Sequence, residues 1–204
     1  MKLFFAPNSI AVATALALNE AGLDYESIRV NFAEAEQTKP EFLVINPKGR
    51  VPALVTDQGI LTETGALLDY VSVLAPDAGL IPNDPFTAAQ VRSMVHYLAS
   101  TMHVNHAHKM RGHRWANTQT AWDDMAAKVP ETMTASCAFV EEHIQGPLLF
   151  GAEPTIADCH LFAISRWVTG DGVNLDDFPN LTTFMATLQA RPSMQKLAAD
   201  GIIT

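Results

Sequence analysis

Every convincing strand signal in this chain lies before residue 63, and none follows the breaker-rich stretch at 76–86. Lys2–Ala6 is a short apolar run stopped by Pro7-Asn8, which predicts a strand and a turn. Ser9 to Ala21 carries Ile10, Val12, Leu16 and Leu18 among alanines. A helix that is apolar nearly all round must be buried, and Gly22 ends it. Tyr25–Val30 alternates Ile28 and Val30 against Arg29 and predicts the next strand. Strand, helix and strand in such close succession imply a parallel βαβ unit. Phe42, Leu43 and Ile45 mark a short helical patch. Val51–Thr56 and Ile60–Thr62 predict a hairpin through Asp57-Gln58-Gly59. Thr64 to Leu74 has helical spacing, with a capping-type entry at Glu63-Thr64-Gly65. Residues 1–75 therefore read β-α-β-α-β-β-α, an α/β unit.

Residues 76–86, with Pro76, Gly79, Pro82 and Pro85, read as a linker. Residues 87–204 read as all-helical. The stretch 87–144 predicts two long helices with a boundary near Asn117, and Gly146-Pro147 ends the second. Thr155-x-x-Asp158 opens another helix as a capping box, and Gly170-Asp171-Gly172 closes it. Phe178-Pro179 and Arg191-Pro192 introduce two short final helices.

Charge narrows the function. The chain has 204 residues and a formal net charge of −9, which argues against a general binder of nucleic acid or anionic membranes. The acidity is uneven: residues 85–122 hold no Asp or Glu but four Lys or Arg and five of the seven histidines. No apolar run approaches the roughly 20 residues that span a bilayer. Pro7, Asn8 and Ser9 interrupt the apolar start, so it is not expected to be a signal peptide. Cys137 and Cys159 form neither a disulfide framework nor a zinc or redox spacing, and a reducing, cytoplasmic compartment is expected.

The run Phe42-Leu43-x-Ile45-Asn46-Pro47-x-Gly49-x-Val51-Pro52-x-Leu54, followed by Leu61-Thr62-Glu63-Thr64, resembles the glutathione-binding half of the cytosolic glutathione S-transferases. The Thr155-x-x-Asp158 box is a further mark of that family. The opening Met-Lys-Leu-aromatic-aromatic-x-Pro and Asn-Pro-Lys-Gly-x-Val-Pro are most similar to bacterial beta-like members. The resemblance implies a thioredoxin-like N-terminal domain followed by a helical C-terminal domain. It implies glutathione as co-substrate, no metal, and a C2 homodimer with a cleft at each interface. Pro52 is expected to be cis, presenting the Val51 backbone to the cysteinyl part of glutathione as an added strand. The helix start at Thr64 suits the γ-glutamyl carboxylate, Glu63 suits its ammonium, and Arg50 is assigned to the same glutathione site. Lys39, Lys48, Arg50 and Arg111 are the candidate partners of the glycyl carboxylate. Ser9 stands where serine-type transferases carry their catalytic serine, with Asn8 as a second donor. Ile10 replaces the beta-class cysteine, and Phe4 and Phe5 stand in the first strand where tyrosine-type enzymes have their tyrosine. A hydroxyl at a helix N-terminus would stabilise a thiolate, and it would also cap the helix.

His96, His103, His106 and His113 fall within a stripe about 100° wide if one unbroken helix runs through Gly112. Met110 and Arg114 share it. Three readings stand: a metal site, which lacks the i,i+4 pair and a carboxylate; a helix–helix or dimer contact; or the lining of a second-substrate pocket by His106, Met110, His113 and Arg114. The resemblance places His103 beside the sulfur, with a catalytic role. His160 is expected to be a satisfied core histidine, and Trp167, Cys159 and Cys137 are expected to be core. The implied activity is attack of glutathione thiolate on a small hydrophobic electrophile, a detoxification chemistry. Rivals are a glutathione-dependent disulfide or peroxide reductase and a ligand-binding protein that has lost catalysis.

Overall fold

A computed structural model describes every residue from Met1 to Thr204. Strand β1 (Lys2–Phe5) lies at the centre of a four-stranded sheet of order β2-β1-β3-β4. It pairs in parallel with β2 (Glu26–Arg29) and antiparallel with β3 (Ala53–Val55), Leu3 standing opposite Leu54. β4 (Ile60–Thr62) completes the hairpin, with Leu54 opposite Leu61. Helix α1 (Ala11–Glu20) is the crossover between β1 and β2. The short α2 (Pro40–Leu43) precedes β3, and α3 (Thr64–Leu74) follows β4. The thioredoxin-like order expected for residues 1–75 is therefore present, although β3 is shorter than predicted. Pro52 has no N–H with which to extend the ladder toward Val51.

Nine helices are α-helical. After α3 come α4 (Pro85–Tyr97), α5 (His103–Arg111), α6 (Gln119–His143), α7 (Ile156–Ser165), α8 (Pro179–Gln189) and α9 (Pro192–Ala199). The predicted first long helix is α4 and α5 joined by a π-helical turn, Leu98–Met102, and closed by a 3-10 turn at Gly112–Arg114. The stripe is interrupted as a helical face, although His96, His103 and His106 still line one cleft and only His113 leaves it. A π turn advances by i→i+5 rather than i→i+4, so the phase of 100° per residue is lost between His96 and His103. The 3-10 turn shifts it again before His113. No helix is long and apolar enough to cross a membrane.

The core explains why α1 is apolar on all sides. Ala11 through Leu18 are all buried, because α1 packs against α3 of its own half and against α7 and α9 of the helical half. Burying each of Leu16 and Leu18 contributes about 1.5–3 kcal/mol. The buried apolar residues form one cluster through both halves, from Leu3 to Ile203. The entry to α7 is fixed by Asp158, whose carboxylate accepts from the Thr155 N–H (2.7 Å), the Thr155 hydroxyl (2.6 Å) and the Leu149 N–H (2.8 Å). Burial nevertheless raises its carboxyl above the ordinary range, the hydrogen bonds opposing.

Candidate active site

A cleft of about 980 Å³ runs between the two halves, lined by the β1–α1 turn, the Val51-Pro52 turn, the start of α3 and one side of α4, α5 and α7. Its first wall is built largely of backbone. The Val51–Pro52 bond is cis. Neither the N–H nor the C=O of Val51 has a protein partner. The loop before it is held by Asn46, which is buried; its amide donates to the Arg50 C=O (2.6 Å) and its oxygen accepts from the Lys48 N–H (3.2 Å). Gly49 has φ +62°, and a Cβ there would lie 3.1 Å from the Gln37 carbonyl oxygen, so glycine is required. Asn46 belongs to the motif but was not read as a site residue; an Asn before Pro-x-Gly, able to bond its own loop, was the signal.

Beyond Val51, α3 points its N-terminus into the cleft. The N–H groups of Thr64, Gly65 and Ala66 have no acceptor, and the Thr64 hydroxyl is unpaired. Such a start attracts an anion through donors and dipole together. Glu63 precedes it at φ +75°, a conformation that costs a non-glycine residue about 1–3 kcal/mol and clusters at ligand sites. Its carboxylate is already engaged: Lys48 Nζ lies 2.5 Å away and also donates to Thr62 Oγ1 (2.7 Å). A ligand ammonium would therefore share Glu63 with Lys48, and Lys48 is not free for a second carboxylate. Arg50 and Arg111 line the cleft, while Lys39 does not.

The turn before α1 holds the two predicted thiol donors, and both are engaged. Ser9 Oγ donates to the Ala6 C=O (2.7 Å) and accepts from the Ala11 N–H (3.3 Å). It thus closes the turn, and α1 begins at Ala11 rather than at Ser9. Asn8 has φ +57°, and its amide nitrogen donates to Thr204 Oγ1 (2.7 Å). Its side-chain oxygen accepts from Arg166 (2.8 Å) and its C=O from Trp167 Nε1 (2.9 Å). Asn8 ties the turn to the helical half. Both residues line the cleft.

The second wall is made of side chains. Of the residues predicted for it, His103, His106 and Arg114 line the cleft, but Met110 and His113 do not. Met110 is 83% exposed, and His113 lies edge-on to Trp122 at 6.3 Å. The 3-10 turn at Gly112–Arg114 shifts the phase before His113, whereas Met110 shares the phase of His103 and His106 but stands on the exposed last turn of α5. His103 and His106 lie against the face of Trp167, with ring centroids 5.3 Å and 4.3 Å from it. Trp167 is therefore a cleft residue and not core. His106 Nδ1 is 2.7 Å from Asp171 Oδ2, a contact that the reading of Asp171 as part of a helix-closing turn did not reach. Burial lowers the His103 imidazole to about 4, with further lowering from His106, Arg111, Arg114 and Arg50, so the ring is neutral at pH 7. Burial lowers Arg111 and Arg114 below the ordinary guanidinium value, and neighbouring arginines add to this. His160 forms part of the cleft floor, yet neither ring nitrogen has a partner, contrary to the expected satisfied core histidine. Its imidazole is lowered to about 3, by burial and then by His103. Cys137 and Cys159 are buried free thiols pushed upward by burial. No group of three or more His, Cys, Asp or Glu side chains gathers in metal-binding fashion.

Residues 1–73 match the family described as Glutathione S-transferase, N-terminal domain, and residues 97–192 match Glutathione S-transferase, C-terminal domain. A glutathione transferase homologue from Sulfitobacter, solved with bound glutathione, is 54% identical and superposes with a TM-score of 0.96 over 98% of each chain. The glutathione S-transferase GstA of Escherichia coli O157:H7 is 27% identical over 99% of this chain and 100% of its own length. A maleylacetoacetate isomerase of Pseudomonas aeruginosa is 30% identical over 93% of this chain and 90% of its own.

Proposed function

The chain belongs to the glutathione S-transferase family, and from that premise we propose that it binds glutathione in the cleft and directs the thiolate at a small electrophile held against α5 and α7. The carrying observation is the set of unbonded groups in one cleft: the N–H and C=O of Val51 and the open N-terminus of α3. Those groups fit glutathione. Val51 takes the cysteinyl amide edge to edge, as one strand takes another. Thr64 and the first α3 N–H groups take the γ-glutamyl carboxylate. Glu63 takes the ammonium beside Lys48, and Arg50 or Arg111 takes the glycyl carboxylate.

A thiol of ordinary pKa near 8.5 is mostly protonated at neutral pH, so the protein must favour its anion. The N-terminus of α1 does so by its dipole, with the unbonded Ile10 N–H at its entry. Ser9 contributes by turning its hydroxyl from the Ala6 carbonyl to the sulfur. His103, neutral and unpaired, borders the reacting atoms. The electrophile lies toward His106 and Arg114. We assign the chain a cytoplasmic location and a C2 homodimer, which light scattering on the purified protein checks.

Two measurements test the reading. Ser9→Ala should weaken the ultraviolet absorbance of bound thiolate and reduce turnover; unchanged values of both remove Ser9 from the mechanism. Turnover of a glutathione mixed disulfide, with none of a haloaromatic electrophile, would move the assignment to the reductase.

A further inference from the structure

His106 is the histidine whose ring is bonded to a carboxylate. Asp171 lies on the turn after α7, and its side chain is 1% exposed, against 29% for His106. An ionised carboxylate can only accept, so the 2.7 Å contact fixes the hydrogen on His106 Nδ1. In the neutral ring Nε2 then carries the lone pair. Nε2 has no protein partner, and His106 faces the cleft. The ring is also stacked on Trp167 at 22°, and Trp167 donates to the Asn8 C=O, immediately before Ser9. A histidine with a fixed tautomer thus lines the same cleft as the turn where the thiol belongs on the glutathione reading, and is linked to that turn through Trp167.

Its surroundings bear on what it can do. Lys109 Nζ stands 3.4 Å from Asp171 Oδ1, and the buried Cys137 thiol on α6 is near enough to feel the charge of the same carboxylate. Burial and then Asp171 push that thiol up to about 12, so it does not compete for the proton. The His103 ring is 6.5 Å away, bordered by Arg50, Arg111 and Arg114. Arg111 and Arg114 make no ion pair with any carboxylate. The donors Ser9 and Asn8 are bonded to the chain, as described.

We propose that His106, positioned by Asp171, is a catalytic proton-transfer residue for the conjugation reaction, and that its role shows most clearly with a conjugated carbonyl electrophile, which must take a proton back on carbon. This rests on the glutathione reading. Nε2 takes the thiol proton, and the Asp171 carboxylate offsets the charge gained by the ring. The sulfur electron pair forms a C–S bond at the β-carbon, and the π pair of the alkene moves through the α-carbon to the carbonyl oxygen as an enolate. Arg114, which no carboxylate pairs, offers that oxygen N–H donors, leaving Arg50 or Arg111 to the glycyl carboxylate. Nε2–H returns its proton to the α-carbon, and the ring is neutral again. Thiol and alkene become one thioether, with no net proton and no oxidant. Substitution on an aryl halide differs: the halide departs with its electron pair, the thiol proton passes to water, and no proton returns to carbon.

The test compares the full chain with Asp171→Asn and His106→Gln, using glutathione with phenylbutenone or with chlorodinitrobenzene. Each variant should lower kcat for phenylbutenone about a hundredfold at neutral pH while glutathione KM stays within about twofold. The loss with chlorodinitrobenzene should vanish near pH 9.5, where a thiol of pKa about 8.5 ionises unaided, and the loss with phenylbutenone should persist. Lys109→Met, which removes the other contact of Asp171, should keep both activities. His106→Gln decides the matter if Asp171→Asn fails to fold. Wild-type phenylbutenone turnover in both variants overturns the proposal, as does a loss equal for both substrates at every pH. Absence of a glutathione-induced thermal shift in the parent chain instead overturns the glutathione reading itself.

Discussion

On one side of the cleft, the groups offered to a ligand are mainly backbone N–H and C=O groups at Val51 and at the first turn of α3, helped by the side chains of Thr64, Glu63 and Arg50. On the other side they are side chains of α5 and of the turns that follow α5 and α7: His103, His106, Arg111, Arg114 and Trp167. Backbone recognition is fixed by the turn and the helix start, and tolerates most side-chain changes. Side-chain recognition depends on helix phase and on supports such as Asp171. The first wall therefore suits the invariant partner, glutathione, and the second suits a partner that differs between members of a family.

The largest expected effect is on the second wall. Trp167→Ala removes the platform under His103 and His106, and should lower kcat/KM for the electrophile about a hundredfold, since misplaced catalytic groups cost this much. Glutathione affinity should change less than about threefold in the same protein. Equal losses in both, measured by steady-state kinetics and calorimetry, would mean that the walls are not separable. Next is Thr64→Ala, which deletes one hydrogen bond to a carboxylate and should weaken glutathione binding about tenfold, equivalent to roughly 1.5 kcal/mol. Thr64→Ser should restore it, and kcat should hardly change.

Acid should act on the side-chain wall. His103 and His160 titrate near 4 and 3 in the folded protein, against an ordinary 6.5. Below pH 6.5 the unfolded chain takes up protons that the folded chain refuses. Stability is thus full above pH 6.5 and falls as the pH drops toward 4, by up to on the order of 3 kcal/mol per ring. Urea unfolding at pH 7 and pH 4.5 measures the fall, and His160→Leu should make it shallower. A parent chain equally stable at both pH values would contradict the buried neutral rings. The smallest effect belongs to Lys48→Met. Its exposed pair with Glu63 contributes at most about 1 kcal/mol, so melting should barely move.

The first wall was legible because it is written in local rules. Asn46-Pro47-Lys48-Gly49 and Val51-Pro52 prescribe a turn, and Glu63-Thr64 prescribes a helix start, whatever lies elsewhere in the chain. The all-apolar pattern of α1 likewise announced a helix enclosed on every side. The second wall was legible only as a basic, histidine-rich segment. Its phase depends on the π turn at Leu98–Met102 and the 3-10 turn at Gly112–Arg114, neither of which leaves a periodicity to read. His113 falls outside the cleft for that reason; Met110, in phase with His106, falls outside it because it stands on the exposed last turn of α5. Asp171 and Trp167 lie 65 and 61 positions beyond His106. Only the packing of α7 against α4 and the π turn, which carries the segment after α7 to His106, brings them together. The Ser9 hydroxyl closes the turn before α1 through Ala6 and Ala11, and its bond to Ala6 belongs to turn geometry that the sequence does not announce.

Titration of the parent chain with glutathione, followed by thermal unfolding, tests the account at its base. A ligand that binds only the folded state raises the melting temperature progressively once its concentration exceeds the dissociation constant. The account predicts such a rise at millimolar glutathione, displaced to about tenfold higher concentration in Thr64→Ala. A melting temperature that stays flat through the millimolar range would contradict it.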